Sequence, residues 1–78
     1  MPPTFNITVN NKPVPMNDHS VTGLQIKEAA IIAGVEIEID FQLSVERPTG
    51  ELKVVGDDER IGINAKSRFR AVGTDDNS

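Results

Sequence analysis

The sequence has no cysteine, no tryptophan and no tyrosine, and its single histidine is His19. Without cysteine there is no disulfide framework, no thiolate metal site and no cysteine nucleophile, and a 78-residue chain without such staples fits a reducing cytoplasm better than secretion. With three Phe as its only aromatic residues, the core has to be built mostly from Ile, Val and Leu. Long apolar runs are also missing. None approaches the roughly 20 residues needed to span a bilayer, and Met1-Pro2-Pro3-Thr4 has neither the basic nor the apolar stretch of a signal peptide. A soluble, cytoplasmic chain with no membrane partner is expected. Positive charge is scarce, since eight Lys and Arg stand against twelve Asp and Glu and leave a formal net charge of -4. Phosphate backbones are bound through clustered Lys and Arg, so nucleic acid is not an expected partner. The nearest thing to a basic cluster, Lys66, Arg68 and Arg70 around Phe69, has the every-second-residue spacing of a strand's solvated face.

What is present is strong patterning. Phe5, Ile7 and Val9 alternate with Thr4, Asn6 and Thr8, the period of a half-buried strand. Asn10-Asn11-Lys12 suits a tight hairpin, because Asn tolerates positive φ. A return strand from about Pro13 to Met16 has to lie at a sheet edge, since Pro13 and Pro15 have no amide to donate. Thr22 with Gln25 three residues later forms a capping box, and Leu24, Ile26, Ala29, Ala30, Ile31 and Ala33 carry a helix of about 11 residues to a stop at Gly34. From Val35 to Val45 alternation returns, with Glu36, Glu38 and Asp40 on the outer face; Phe41 to Val45 is the part placed in a strand. The part before it is either strand or an extended connection from helix to sheet. Arg47-Pro48-Thr49-Gly50 is a turn, Leu52 to Val55 a short strand, and Gly56-Asp57-Asp58-Glu59 an acidic turn. Ile61 and Ile63 are core anchors, and Phe69 to Val72 is the last strand.

One domain of this size buries only about 60% of its unfolded surface, so a single modest core is expected. The order of elements predicts an α+β fold, a mixed sheet with one helix packed across it and the first and last strands parallel at its centre. That layout is the β-grasp. Residues 1–4 and the polar tail 74–78 are expected to be disordered, flanking a domain over residues 5–73.

The search for chemistry is mostly negative. His19 and Ser20 are the only candidate catalytic dyad, and they lie in a polar stretch with nothing to hold or bury them. Glu36, Glu38 and Asp40 offer oxygen ligands, but a straight acidic face does not wrap a cation. Asp57-Asp58-Glu59 lacks the ligand spacing of a calcium loop. Thr22-Gly23 at a helix start lacks the multi-glycine pattern of a phosphate loop. No catalytic residue, metal site or cofactor is expected, and the chain is not read as an enzyme.

Taken in order, Ile7-Thr8-Val9-Asn10-Asn11-Lys12-Pro13-Val14, Val21-Thr22-Gly23-Leu24-Gln25-Ile26, Ala33-Gly34, Phe41-Gln42-Leu43, Asp57-Asp58-Glu59-Arg60-Ile61 and Phe69 resemble the bacterial multiubiquitin family over residues 5 to 73. The resemblance implies a ubiquitin-like modifier. Its expected partners are activating-enzyme-like and conjugating-enzyme-like proteins, a processing protease and acceptor proteins, encoded in gene neighbourhoods linked to phage defence. In such systems the C-terminal carboxylate is adenylated and passed to an acceptor, and a terminal glycine has no side chain to obstruct attack on its carbonyl. The matching residue is Gly73. Ubiquitin ends in a Gly pair, whereas here one Gly is followed by Thr74-Asp75-Asp76-Asn77-Ser78, so maturation by cleavage after Gly73 is expected. Lys12, Lys27, Lys53 and Lys66 are the candidate acceptors for chain formation. A different reading stays open: a β-grasp domain that binds or self-assembles without being conjugated. A sulfur carrier would expose Gly-Gly directly at its end, and the tail opposes that.

Overall fold

Alternation builds the first strand in the computed structural model, which describes residues 4–73: β1 (Phe5–Val9) buries Ile7 and Val9 and exposes Asn6. Asn10 and Asn11 turn the chain with φ of 53° and 67°, the pair of positive values that a type I′ hairpin needs. The return strand β2 (Lys12–Met16) is antiparallel, with Ile7 opposite Val14. Val14 and Met16 face the core while Pro13 and Pro15 are exposed, and β2 is an edge strand, as the missing amides require.

A short strand, β3 (Ser20–Thr22), runs directly into the helix α1 (Gly23–Ile32). Thr22 Oγ1 accepts from the Gln25 amide at 3.2 Å, and Gln25 Oε1 accepts from the Thr22 amide at 2.9 Å, so the capping box closes from both sides. At the far end Gly34, with φ of 96°, donates to the Ile31 carbonyl at 3.0 Å, and Val35 donates to the Ala30 carbonyl at 2.9 Å. Those two bonds are the Schellman stop, which needs a residue at positive φ. The buried stripe of the helix is Gly23, Ile26, Lys27 and Ala30, at the i, i+3, i+4, i+7 spacing of one face. Ile31 and Ile32 fall off that stripe and are exposed.

The remaining strands are β4 (Gln42–Glu46), β5 (Leu52–Val55), β6 (Arg60–Gly62) and β7 (Arg68–Val72). The main sheet has the order β2-β1-β7-β4-β5, with β7 at its centre and parallel to β1, and β3 pairs with β6 in a separate two-stranded sheet. Ile7, Val9, Val14, Leu43 and Phe69 line the inner face of the sheet, and Ile26 and Ala30 of the helix join them in one core. This is the mixed sheet with one helix across it, the β-grasp expected from the order of elements.

Val35 to Val45 is not one long strand. Val35 and Ile37 are buried, but Ile39 is exposed, and the Phe41 amide bonds to the Glu38 carbonyl at 3.0 Å in a turn. The ladder begins only at Gln42, so the stretch before it is a connection, and Glu36, Glu38 and Asp40 do not line a strand face. Nor does the polar stretch run unbroken into the helix: Ser20–Thr22 pairs with Arg60–Gly62 as β3 and β6, so Ile61 lies in a strand, while Ile63 follows it and is buried. Of the segments expected to be disordered, residues 1–3 and 74–78 lie outside the described residues.

Candidate functional site

The central strand β7 leads directly to Gly73, the last of the described residues. β7 is held on one side by β4, with Gln42 opposite Val72, and on the other by β1. Parallel pairing with β1 stops where that strand turns away at Asn10, leaving Ala71 without a strand partner on that side. The Asn10 side chain replaces the strand: its Oδ1 accepts from the Ala71 amide at 2.9 Å and its Nδ2 donates to the Ala71 carbonyl at 3.0 Å. Asn10 therefore has two jobs, a turn with positive φ and a clamp on β7 two residues before Gly73. Only the turn was legible, because the clamp spans 61 positions.

Gly73 itself is exposed. A β-carbon placed there would lie 3.5 Å from Cε1 and 3.7 Å from Cζ of Phe41, ordinary contact, and its φ is not in the left-handed region. The fold has no need of glycine at this position. Gly23 is the opposite case: a β-carbon there would land on the Gly56 carbonyl oxygen, so the helix start is pressed against the turn after β5 in a way only glycine permits.

Lys27 is the second feature. Its side chain is 4% exposed and its ammonium makes three contacts: the Ile39 carbonyl at 2.7 Å, the Phe41 carbonyl at 2.9 Å and Asp57 Oδ1 at 2.7 Å. All three N–H donors are used. The side chain ties the helix to the 39–41 connection on one side and to the acidic turn on the other. This removes Lys27 from the candidate acceptors, since a nitrogen engaged three times and shielded from water is not open to acylation.

A family model described as multiubiquitin matches residues 5–75 of the chain. The chain belongs to the multiubiquitin family. Neither the curated proteins nor the solved structures contain a match to it. In this multiubiquitin domain the other three lysines, Lys12, Lys53 and Lys66, are all exposed. Brief treatment of the native domain with an amine-acylating reagent is expected to modify those three and leave Lys27 untouched until the domain is denatured, as read by peptide mass spectrometry. Modification of Lys27 at a rate comparable to Lys12 would contradict the buried contact.

The other candidates are accounted for by structure. His19 is held after all: its Nδ1 lies 3.0 Å from the Ile63 carbonyl, which requires the proton on Nδ1, and its ring stacks on Phe5 with centroids 4.4 Å apart. Ser20 belongs to β3, and its carbonyl accepts from Arg60 at 3.1 Å. Each residue bonds to backbone or to Arg60, and no bond joins them as a dyad. The helix N-terminus is no anion site, because its first three amides are taken: Gly23 donates to the Glu59 carbonyl, Leu24 to the Asp57 carbonyl and Gln25 to Thr22. The acidic turn is thus a cap, with Asp57 also pairing Lys27. Of the basic trio, Arg68 and Arg70 stand on the outer face at 4.0 Å from Glu46, while Lys66 precedes the strand in a turn closed by Asn64 and Ser67. Among the described residues no group of three or more His, Cys, Asp or Glu is placed to hold a metal, and no helix is long and apolar enough to cross a membrane.

Proposed function

We propose that this multiubiquitin-family domain is a cytoplasmic bacterial protein modifier, matured by removal of residues 74–78 and conjugated through the carboxylate of Gly73. The observation that carries the reading is the glycine that the fold does not require. Gly23, Gly34 and Gly50 are each explained by packing or by positive φ, and Gly73 is not. Gly56 and Gly62 are likewise sterically free, but Gly73 alone of these sits where the chain leaves the central strand. An adenylating and transferring enzyme has to admit the last residues into a narrow channel, and absence of a side chain beside the carbonyl serves that chemistry. Asn10 and β4 fix the strand up to Val72, so the reactive end is presented from a rigid base.

In this reading the domain is the substrate of its partners: an activating-enzyme-like protein, a conjugating-enzyme-like protein and a processing protease, acting in antiphage defence. Incubating the full chain with the protease encoded beside it is expected to yield one product whose intact mass ends at Gly73. A product ending elsewhere, or an uncut chain under conditions where the protease cuts other substrates, overturns the reading.

A further inference from the structure

The two edges of the main sheet are unlike each other. β2 is blunted by two prolines, whereas β5 carries Leu52, Lys53, Val54 and Val55 with every amide present. The hairpin bond from the Arg47 amide to the Glu51 carbonyl, 2.8 Å, sets which residues of β5 face β4. Antiparallel bonds recur at every second pair, so Lys53 opposite Val45 and Val55 opposite Leu43 bond inward to the sheet. The amides and carbonyls of Leu52 and Val54 therefore point out of the open edge. Their side chains are 51% and 52% exposed, on the outer face. Lys53 and Val55 line the other face, where a groove of about 460 Å³ has an apolar floor that includes Val45, Val55 and Ile61. Arg47, Lys53 and Lys66 line this groove, and none of their side chains has an ion-pair or hydrogen-bond partner among the described residues. The two carboxylates at the groove are engaged elsewhere: Glu46 faces Arg68 and Arg70, and Glu59 Oε1 accepts from the Gly56 amide. On a chain of net charge -4, this is a local excess of positive charge beside an open strand edge.

We propose that the β5 edge binds an extended segment of a partner protein in which apolar residues alternate with Asp or Glu. Such a segment adds a sixth strand through the backbone of Leu52 and Val54. Its apolar side chains cover Leu52 and Val54 on the outer face, and its carboxylates, on the opposite side of the strand, come beside Lys53 at the groove. A second copy of this chain is the poorer occupant in the register that pairs Leu52 of one copy with Val54 of the other, because that register sets Lys53 opposite itself. The site is separate from Gly73 chemistry and stands whether or not the chain is conjugated.

The test is a titration of the isotope-labelled full chain, followed by amide chemical shifts, with a blocked seven-residue peptide alternating Glu and Val and with its counterpart alternating Lys and Val. The expected result is saturable change at Leu52, Lys53, Val54, Ile61 and Lys66, slowed amide exchange at Leu52 and Val54, and binding of the Lys peptide at least about tenfold weaker. Val54→Pro removes an outward amide without removing a bond to β4, and is expected to weaken the Glu peptide about tenfold with the rest of the spectrum unchanged. If that variant does not fold, Lys53→Glu carries the same test, by reversing the preference between the peptides. No saturable change up to about 1 mM peptide, changes centred on β2, or equal affinity for both peptides overturns the proposal. Dilution-dependent shifts at β5 in the free chain would assign the edge to a second copy and overturn it too.

Discussion

Replacing Lys27 with Met is expected to lower the thermal midpoint of the domain by about 10–20 °C, which corresponds to about 2–3 kcal/mol at the size of this chain. Met retains the apolar stem of lysine, so packing of the helix stripe is nearly preserved and the change isolates the ammonium. What is lost is the charged donor to the Ile39 and Phe41 carbonyls and to Asp57. Hydrogen bonds from a charged donor contribute about 1.5–3 kcal/mol each, but Asp57 is 54% exposed and recovers water, so its share is small. The larger share belongs to two carbonyls left without a donor at the edge of the core. Asp57→Asn should accordingly cost less than Lys27→Met, because the ammonium keeps both carbonyls. Thermal unfolding followed by circular dichroism distinguishes the two. A Lys27→Met midpoint within a few degrees of the parent would show that the three contacts do not hold the connection in place.

The structural role of Lys27 left one signal in the sequence that the pattern alone does not resolve. The residue stands at i+4 in the stripe Gly23, Ile26, Lys27 and Ala30, and a lysine inside a buried stripe is a signal that something receives its charge. The receivers were not legible, since they are carbonyls of a connection 12 and 14 residues on and a carboxylate of a turn 30 positions away. The same interaction explains why the alternation from Val35 to Val45 misleads. Period-2 patterning predicts which side chains are buried, and Val35 and Ile37 are buried as the pattern demands, whereas Ile39 is exposed. It does not record where the backbone goes. Lys27 draws the Ile39 and Phe41 carbonyls toward the helix, the chain turns at Glu38 to Phe41, and the strand begins one turn later than the pattern does.

Local signals were reliable where the cause is local. The Thr22–Gln25 capping box, the Gly34 stop, the Asn10-Asn11 hairpin and the outward prolines of β2 each rest on stereochemistry within a few residues. β3 and β6 were missed because three residues are too few to establish a period, and their pairing joins Val21 to Ile61 across 40 positions. The same distance hid the restraint on His19, whose bond to Ile63 depends on that pairing. The proposed reactive residue, Gly73, is named by the family resemblance; the structure adds the comparison with the other glycines, which the sequence alone does not allow.

That comparison leads to the prediction with the largest effect on function: Gly73→Glu is expected to leave the thermal midpoint within a few degrees of the parent while reducing adduct formation by about 10²-fold or more. The stability half follows from geometry. Residue 73 is exposed, has no positive φ, and a β-carbon there makes ordinary contact with Phe41. The chemical half follows from what a side chain does beside a reacting carbonyl: it crowds the approach and shifts the chain end within the channel, and misplacement of about 1 Å is enough for a loss of this order. Gly23→Ala supplies the contrast, since its β-carbon would overlap the Gly56 carbonyl oxygen and force apart the helix start and the turn that caps it. It should destabilise the domain by about 1–3 kcal/mol, the range for overpacking. Both variants are read by thermal unfolding, and Gly73→Glu also by intact mass of adducts formed with the proposed activating-enzyme-like and conjugating-enzyme-like proteins. If Gly73→Glu forms adducts at the parental rate, the reactive end is not residue 73. If it unfolds like Gly23→Ala, the glycine belongs to the fold, and the observation on which the modifier reading rests is withdrawn.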